Sequence, residues 1–260
     1  MNAIIVAAGI GKRLKGFSDD RPKCMLEISG VSLFKRLTDL LLQSGISMIN
    51  VVVGYRKEWF RDKSFRYFVN TDFENNDILH SLFYAEQAMD SGFLFSYSDI
   101  IYDRVIVRQM LNLEFDIAIA VDPNWEKHYE GRTGHPVDEA ELVFSEDGKI
   151  VTSIKKNGDY SKACGEFIGV AYFSRQGARD LKLVFDDLKD FYSRNPEESF
   201  HTAKTFKKAY MTDMFQEMTN RGYPVHIITT KGSWAEIDTP QDFENMQKNF
   251  DEKTEMFGES

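Results

Sequence analysis

The residues that could do chemistry begin near the N-terminus, where a short apolar run leads into a basic segment with two glycines. Glycine lets the backbone approach a ligand closely and adopt conformations that other residues avoid. Backbone amides, ammonium groups and guanidinium groups can then bind phosphate oxygens. The segment therefore indicates a phosphate-binding loop. Its small residues are Ala7, Ala8, Gly9 and Gly11, and its cations are Lys12, Arg13, Lys15, Arg21 and Lys23.

Two widespread phosphate-binding motifs do not fit this segment. A P-loop requires a glycine, four residues and then Gly-Lys-Ser/Thr, and this pattern is absent from the sequence. A dinucleotide-binding fingerprint requires a small residue where Leu14 stands. Two glycines alone would be compatible with an ordinary tight turn beside solvated cations. Arg13 together with Pro22-Lys23 favours a ligand site instead.

Two aspartates at predicted strand ends could hold a metal ion. Asp99 follows the apolar run 93–97, and Asp238 follows the run 234–237. Mg²⁺ prefers oxygen ligands and keeps several waters, so one or two carboxylates plus a substrate phosphate suffice. Taken singly, Asp99 could be a turn residue and Asp238 a neighbour of a helix cap. Glu236 could support the metal ligands from behind, although it is expected to face solvent.

The run from Ala7 to Leu14, followed by Pro22-Lys23, resembles the signature of nucleotidyltransferases that activate sugars and small alcohols as nucleotide diphosphates. The resemblance covers about residues 2–248. It implies that Arg13 binds the β- and γ-phosphates of a nucleoside triphosphate, and Lys23 the α-phosphate. It also implies that the metal ion is Mg²⁺, held by Asp99 and Asp238. The remaining nucleotide-binding residues implied by the resemblance are Ala7, Ala8, Gly9, Gly11, Lys12, Asn76 and Ser81.

The middle of the chain resembles one branch of this family, the cytidylyltransferases that activate phosphonates and phosphocholine. This second resemblance rests on residues 96–102 and on the order of residues from 122 to 169. It implies that the substrates are CTP and a small phosphonate or phosphomonoester, such as 2-aminoethylphosphonate or phosphocholine. Pyrophosphate would then be released. The candidate acceptor-binding residues are Arg132, His135, Lys155 and Glu166, and the sequence leaves open whether Lys155 or Lys156 reaches the site.

Acidic and aromatic residues of this region could face a cationic group of the acceptor. Glu166, with Glu139 and Glu141, would suit an aminoethyl or choline group, although the latter two could equally form an exposed acidic run. Trp125 and Tyr129 could form a cation–π wall, and buried packing is the alternative.

The elements that must position these residues follow from the hydrophobic pattern. Continuous apolar runs, which predict buried strands, lie at residues 3–8, 49–53, 93–97, 116–121 and 167–173. Helical spacing alternates with them at residues 33–41, 78–89, 175–193, 202–221 and after Thr239. This alternation predicts the α/β class, with a Rossmann-like, doubly wound mixed sheet and a helical C-terminal part. The resemblance implies the nucleotide-diphospho-sugar transferase type of that fold.

The chain is expected to form a single domain over residues 1–250, followed by a frayed tail at 251–260. Residues 122–165 are polar and rich in turn residues, and they interrupt the alternation of strands and helices. Two strand-like runs, at 141–145 and 150–155, flank Glu146-Asp147-Gly148. Residues 122–165 therefore predict an insertion that carries a hairpin and serves the acceptor side.

Composition excludes several other classes of protein. A net charge of −9 disfavours binding to nucleic acid, and the longest apolar run is too short to span a bilayer. Two cysteines form neither a disulfide framework nor a metal-binding spacing, so a cytoplasmic location is expected. The sequence is compatible with a homo-oligomer. Two alternative functions stay open: a sugar-1-phosphate uridylyl- or thymidylyltransferase, and a regulatory module that binds nucleotide without turnover.

Overall fold

The computed structural model describes residues 1–14, 16–230 and 234–254. Its strands are β1 (Asn2–Ala7), β2 (Glu27–Ile28), β3 (Val31–Ser32), β4 (Met48–Val53), β5 (Arg66–Val69), β6 (Phe93–Tyr97), β7 (Ile100–Tyr102), β8 (Ile117–Asp122), β9 (Leu142–Phe144), β10 (Ser153–Lys155), β11 (Gly165–Phe173), β12 (His226–Thr229) and β13 (Trp234–Glu236). Its helices are α1 (Leu33–Gln43), α2 (Ile78–Phe83), α3 (Arg104–Leu111), α4 (Arg175–Arg194), α5 (Met211–Asn220) and α6 (Pro240–Thr254).

Nine strands of the described ranges form one mixed sheet. At its centre β1 lies between β4 and β6, parallel to both, and β5 continues the parallel part beyond β4. β11 runs antiparallel to β6 and to β8, and β12 pairs with β8 in parallel. The predicted α/β fold with a mixed sheet is therefore confirmed.

The sheet carries a hydrophobic core on each face because its central strands are apolar on both sides. Ile4 and Val6 of β1 pack into the core that α2, α4 and α5 cover. Ala3 and Ile5 pack into the opposite core, under α1 and α3. Burying each of these larger aliphatic side chains contributes about 1.5–3 kcal/mol. The doubly wound arrangement follows from this alternation along a continuously apolar strand.

Two predicted helices are shorter than the apolar spacing suggested. α2 ends at Phe83, and a separate 3₁₀ turn follows at residues 86–88. α5 begins at Met211 instead of residue 202, because Asp213 caps it: its Oδ2 accepts a hydrogen bond from the Tyr210 amide at 2.8 Å. The other oxygen of Asp213 accepts from the amide and hydroxyl of Thr202. Through these contacts the buried carboxylate holds the segment from Thr202 to Tyr210 in a conformation that is not α-helical.

The hairpin predicted between residues 141 and 155 is present as β9 and β10, with Ile154 opposite Val143. Its turn is closed by Asp147, whose Oδ1 accepts from the amides of Lys149 and Ile150. β9 also pairs with the beginning of β11. The insertion therefore extends the edge of the central sheet.

A short ribbon of β7 and β13 brings the two candidate metal ligands together. The strands are antiparallel, with Glu236 opposite Ile100. The Ile237 amide donates to the Asp99 carbonyl at 3.1 Å. As a result Asp99 and Asp238, far apart in the sequence, lie at the same edge of the fold.

Helix α6 begins at the predicted cap. The Thr239 amide donates to Asp242 Oδ2 at 2.9 Å, and the Asp242 amide donates to the Thr239 hydroxyl at 3.2 Å. The helix continues to Thr254, so residues 251–254 are helical where a frayed tail was expected, and residues 255–260 lie outside the described residues. Within the described ranges, no helix has the length and apolar character needed to cross a membrane.

Candidate functional site

A cavity of about 490 Å³ opens at the carboxyl ends of β1 and β6. Ligands of doubly wound folds usually bind at this edge of the sheet. The structure does not bring Arg132 or Lys155 to the cavity wall. The residues selected from the sequence that do line it are Ala7, Ala8, Gly9, Gly11, Lys12, Arg13, Lys23, Asn76, Ser81, Asp99, His135, Glu166 and Asp238. Lys15 lies outside the described residues.

The glycine-containing loop has the backbone geometry that phosphate binding needs. Gly11 has a φ of +69°, and a Cβ there would lie 3.1 Å from the Lys23 Cβ, so a side chain is disfavoured on both counts. A Cβ at Gly9 would meet no protein atom within 4 Å and would enter the cavity. Among the hydrogen bonds of the described residues, none is donated by the amides of residues 9–13. These amides are therefore available to an anion.

Lys23 lies at the centre of the charged cluster. Its Nζ is 2.7 Å from Asp99 Oδ2 and 2.5 Å from Asp238 Oδ1. Burial opposes its charge, but the two carboxylates, with Glu236, outweigh that effect and raise the pKa of Lys23. The ammonium group is therefore a permanent cation that holds the two aspartates together.

Asp238 is surrounded by cations. Its Oδ2 lies 2.5 Å from Arg13 Nη2 and 2.9 Å from His135 Nδ1, although neither contact is oriented as a hydrogen bond. Burial alone would raise its pKa, but Lys23, His135 and Arg13 hold the pKa of Asp238 far below its usual range. The buried Oδ2 thus belongs to an ionised carboxylate that is held mainly by the charges of its neighbours.

The donors around Asp238 suit a hard divalent cation. Ligand atoms of His135, Glu236 and Asp238 lie within 4.8 Å of one another, and Asp99 contacts the same lysine as Asp238. Carboxylate oxygens are the ligands that Mg²⁺ prefers. The expectation that Glu236 faces solvent was wrong, because pairing with β7 turns it into the cavity. Burial and Asp238 raise the pKa of Glu236.

A buried amide network stands behind the predicted base-reading residues. Asn70 Nδ2 donates to Asn76 Oδ1 and to Ser81 Oγ, both at 2.8 Å. Asn76 Nδ2 donates back to Asn70 Oδ1 at 3.2 Å. Asn70 was not among the residues selected from the sequence, although it directly follows the short run 66–69 that forms β5. Its contacts fix the rotamers of both cavity-lining side chains.

Arg132 binds the protein itself. Its Nε and Nη2 each lie 2.8 Å from one oxygen of Asp242, a bidentate buried pair. The same segment is held to α6 by Gln241, which donates to the Gly131 carbonyl. A planar guanidinium matched to a carboxylate in this way is committed to that partner. Arg132 therefore positions the loop that carries His135, and the expectation of acceptor contact is corrected.

Two neighbouring lysines at the end of β10 differ in whether they reach the cavity. Lys155 is exposed, and its Nζ lies 5.6 Å from the centroid of the Phe144 ring. Lys156 lines the cavity, with its Nζ 4.0 Å from the Tyr210 ring centroid and 3.8 Å from Glu141 Oε1. Successive side chains along an extended chain point to opposite faces. The choice left open by the sequence is thus resolved in favour of Lys156.

Two buried glutamates form the opposite end of the cavity. Tyr97 donates to Glu141 Oε2 at 3.2 Å, and Tyr129 donates to Glu166 Oε1 at 2.6 Å. Burial, partly offset by Lys156, raises the pKa of Glu141 to about 7. Burial also raises the pKa of Glu166 to about 8, against the effect of the Tyr129 hydrogen bond.

Two arrangements expected from the sequence, an exposed acidic run and an aromatic wall for the acceptor, are not found near these glutamates in the described residues. Glu139 and Glu141 do not form an exposed acidic run, because Glu141 is buried and the Glu139 Oε2 lies 2.5 Å from Arg13 Nη1. The Tyr129 ring is faced by Arg132 of the same chain, 5.4 Å from its centroid, and packs edge-on against Trp125. These two aromatic rings support the cavity wall from behind.

The chain is similar to proteins of one known family along most of its length. The chain matches the MobA-like NTP transferase domain over residues 3–155. It is 29% identical to the CTP:phosphoglutamine cytidylyltransferase of Campylobacter jejuni over 255 residues, which are 94% of this chain and 98% of that protein. It is 28% identical to the 2-aminoethylphosphonate cytidylyltransferase of Lancefieldella rimae over 191 residues, 72% of each chain.

A solved structure shares the fold along almost the whole chain. The CTP:phosphocholine cytidylyltransferase of Streptococcus pneumoniae superimposes with a TM-score of 0.74 and covers 96% of this chain and 98% of its own. Sequence identity in that superposition is 21%, so the likeness concerns the fold.

Proposed function

The chain belongs to the family of MobA-like NTP transferase domains and is a nucleotidyltransferase, and from this we propose that it is a Mg²⁺-dependent cytidylyltransferase. The proposed reaction transfers a cytidylyl group from CTP to a small phosphonate or phosphomonoester and releases pyrophosphate. The observation that carries it is the contact of Lys23 with both Asp99 and Asp238 beside a loop of free amides. The two relatives named as cytidylyltransferases support the choice of CTP.

The proposed reaction requires the protein to position the two substrates and to neutralise the charge of the phosphates. An oxygen of the acceptor attacks the α-phosphorus in line, and the bond from that phosphorus to the bridging oxygen of pyrophosphate breaks. A phosphomonoester has its second pKa near 6, so the attacking oxygen is anionic at pH 7 without a general base. In this proposal Arg13 neutralises the β- and γ-phosphates, and Lys23 the α-phosphate. The free amides of residues 9–13 would bind phosphate oxygens beside them.

The carboxylates of Asp99 and Asp238 would hold Mg²⁺, which supplies positive charge next to the phosphates when bound. The buried, ionised state of Asp238 and its position beside Glu236 and His135 support this assignment. Lys23 contacts both carboxylates, so its ammonium group is positioned to turn toward a phosphate beside them. Both cysteines are free thiols, which supports a cytoplasmic location.

The test is pyrophosphate release with each of the four nucleoside triphosphates and with 2-aminoethylphosphonate, phosphocholine and glucose 1-phosphate as acceptors. We expect turnover with CTP and either 2-aminoethylphosphonate or phosphocholine, dependent on Mg²⁺. Lys23→Ala should abolish it, while Lys155→Ala, a change at an exposed lysine outside the cavity, should retain the wild-type rate. Turnover with a sugar 1-phosphate alone would contradict the choice of acceptor. Binding of CTP without pyrophosphate release from any acceptor would indicate a regulatory module instead.

A further inference from the structure

Glu166 places in the cavity wall a carboxylate oxygen that has no hydrogen-bond partner among the described residues. Glu166 is only 5% exposed and lines the cavity. Its Oε1 accepts the hydrogen bond from Tyr129, whereas its Oε2 is buried and has no hydrogen-bond partner among the residues that the structure describes. A buried carboxylate oxygen left unpaired is costly, and native structures rarely retain one without a reason. A ligand in the cavity could supply the missing hydrogen-bond donor to this oxygen.

Glu166 cannot easily turn away from the cavity. It lies in β11, where it pairs with Asp122 of β8 on one side and Leu142 of β9 on the other. Its carboxylate is held by the hydroxyl of Tyr129, and that ring is packed against Trp125. A side chain fixed at its backbone and at one oxygen presents the other oxygen in a constant direction.

The charges around Glu166 leave it without a counterion. The nearby cation Lys156 lies 3.8 Å from Glu141, which it partly neutralises, and it forms no ion pair with Glu166 in the described part of the chain. Glu141 and Glu236 both add negative potential at Glu166. A ligand that brought positive charge here would relieve this repulsion.

We propose that Glu166, with Glu141 beside it, binds the ammonium group of the acceptor. This inference rests on the proposed function and narrows it: the acceptor is a phosphonate or phosphomonoester that also carries a primary or secondary amine. Such an amine has N–H donors that can satisfy the Glu166 Oε2. A trimethylammonium group has none and is usually bound by aromatic faces. Of the aromatic rings in the cavity wall, that of Tyr210 is already faced by Lys156, whereas the Glu166 Oε2 needs an N–H donor.

Equilibrium binding tests the subsite without relying on turnover. Calorimetry at pH 8, with Mg²⁺ and the α,β-methylene analogue of CTP, would compare 2-aminoethylphosphonate with ethylphosphonate, which differ only in the amine. We expect the amine to strengthen binding about tenfold or more in the wild type, as a charge-assisted hydrogen bond would. Glu166→Gln should remove most of this difference and leave ethylphosphonate binding unchanged. Glu146→Gln, at an exposed position of the hairpin turn, is the matched control and should behave as the wild type.

Equal binding of the two phosphonates to the wild-type protein would overturn the proposal, even if the variant failed to fold. Tighter binding of phosphocholine than of phosphoethanolamine would overturn the requirement for N–H donors. The outcome is separable from that of the proposed function. Equal pyrophosphate release from CTP with both phosphonates would support cytidylyl transfer and refute the ammonium subsite. Preference for the amine in binding, without pyrophosphate release from CTP, would support the subsite and refute the transfer.

Discussion

Glu166 should make the stability of the ligand-free protein depend on pH, and the substitution Glu166→Gln isolates the effect. Burial raises the pKa of this carboxyl group from 4.5 to about 8. Between these two values the folded state binds more protons at this site than the unfolded state does. The free energy of unfolding therefore falls as the pH rises through this window. Because one pKa unit corresponds to about 1.4 kcal/mol, the shift amounts to roughly 5 kcal/mol.

Urea unfolding of the ligand-free wild type and of Glu166→Gln at pH 5, 7 and 9 measures this contribution. Glutamine has the same shape, keeps an oxygen that accepts from Tyr129 and carries no charge. We expect the variant to be about as stable as the wild type at pH 5. At pH 9 it should be more stable, by up to roughly 5 kcal/mol. A difference between the two proteins that stays constant across the three pH values would refute this account, and Glu146→Gln should show no such trend.

Three further substitutions test other parts of the site. Asp99→Asn should lower the rate of pyrophosphate release at least about 100-fold, because a charged contact to Lys23 and a metal ligand are lost, while circular dichroism stays unchanged. Arg132→Lys should lower the melting temperature and kcat together, because lysine cannot reproduce the bidentate contact with Asp242; an unchanged kcat would contradict the positioning role. Asn70→Ala should raise the KM for CTP about tenfold without changing that of the acceptor, since Asn76 loses its fixed orientation.

The phosphate end of the site was predictable because its signals are local. A fully apolar strand must be central in the sheet, and the loop that follows it opens at the edge where ligands bind. Gly11 and Lys23 lie twelve positions apart in the sequence, and in the structure they are so close that a Cβ at Gly11 would lie 3.1 Å from the Lys23 Cβ. The cap of α6 at Thr239 was equally predictable, since a capping residue and its partner are three positions apart.

The acceptor end could not be predicted in detail because it depends on register and on distant partners. Whether Lys155 or Lys156 faces inward is decided by one residue of register between β9 and β10. Arg132 was chosen as a free cation, but its partner Asp242 is 110 positions away and belongs to a different element. No local sequence pattern distinguishes an arginine that is free to bind a ligand from one that is paired with a carboxylate elsewhere in the protein.

The ribbon of β7 and β13 also determines when the chain can become active during its synthesis. Asp99 leaves the ribosome well before Asp238, and at 5–20 residues per second the interval is on the order of ten seconds. During that time the glycine loop and Lys23 exist, but the second carboxylate has not yet reached them. A nascent or C-terminally truncated chain would thus carry the glycine loop but lack the second carboxylate that the proposed transfer reaction needs. Under the proposed mechanism the chain can therefore turn over nucleotide only after β13 has formed, when nearly the whole fold is complete.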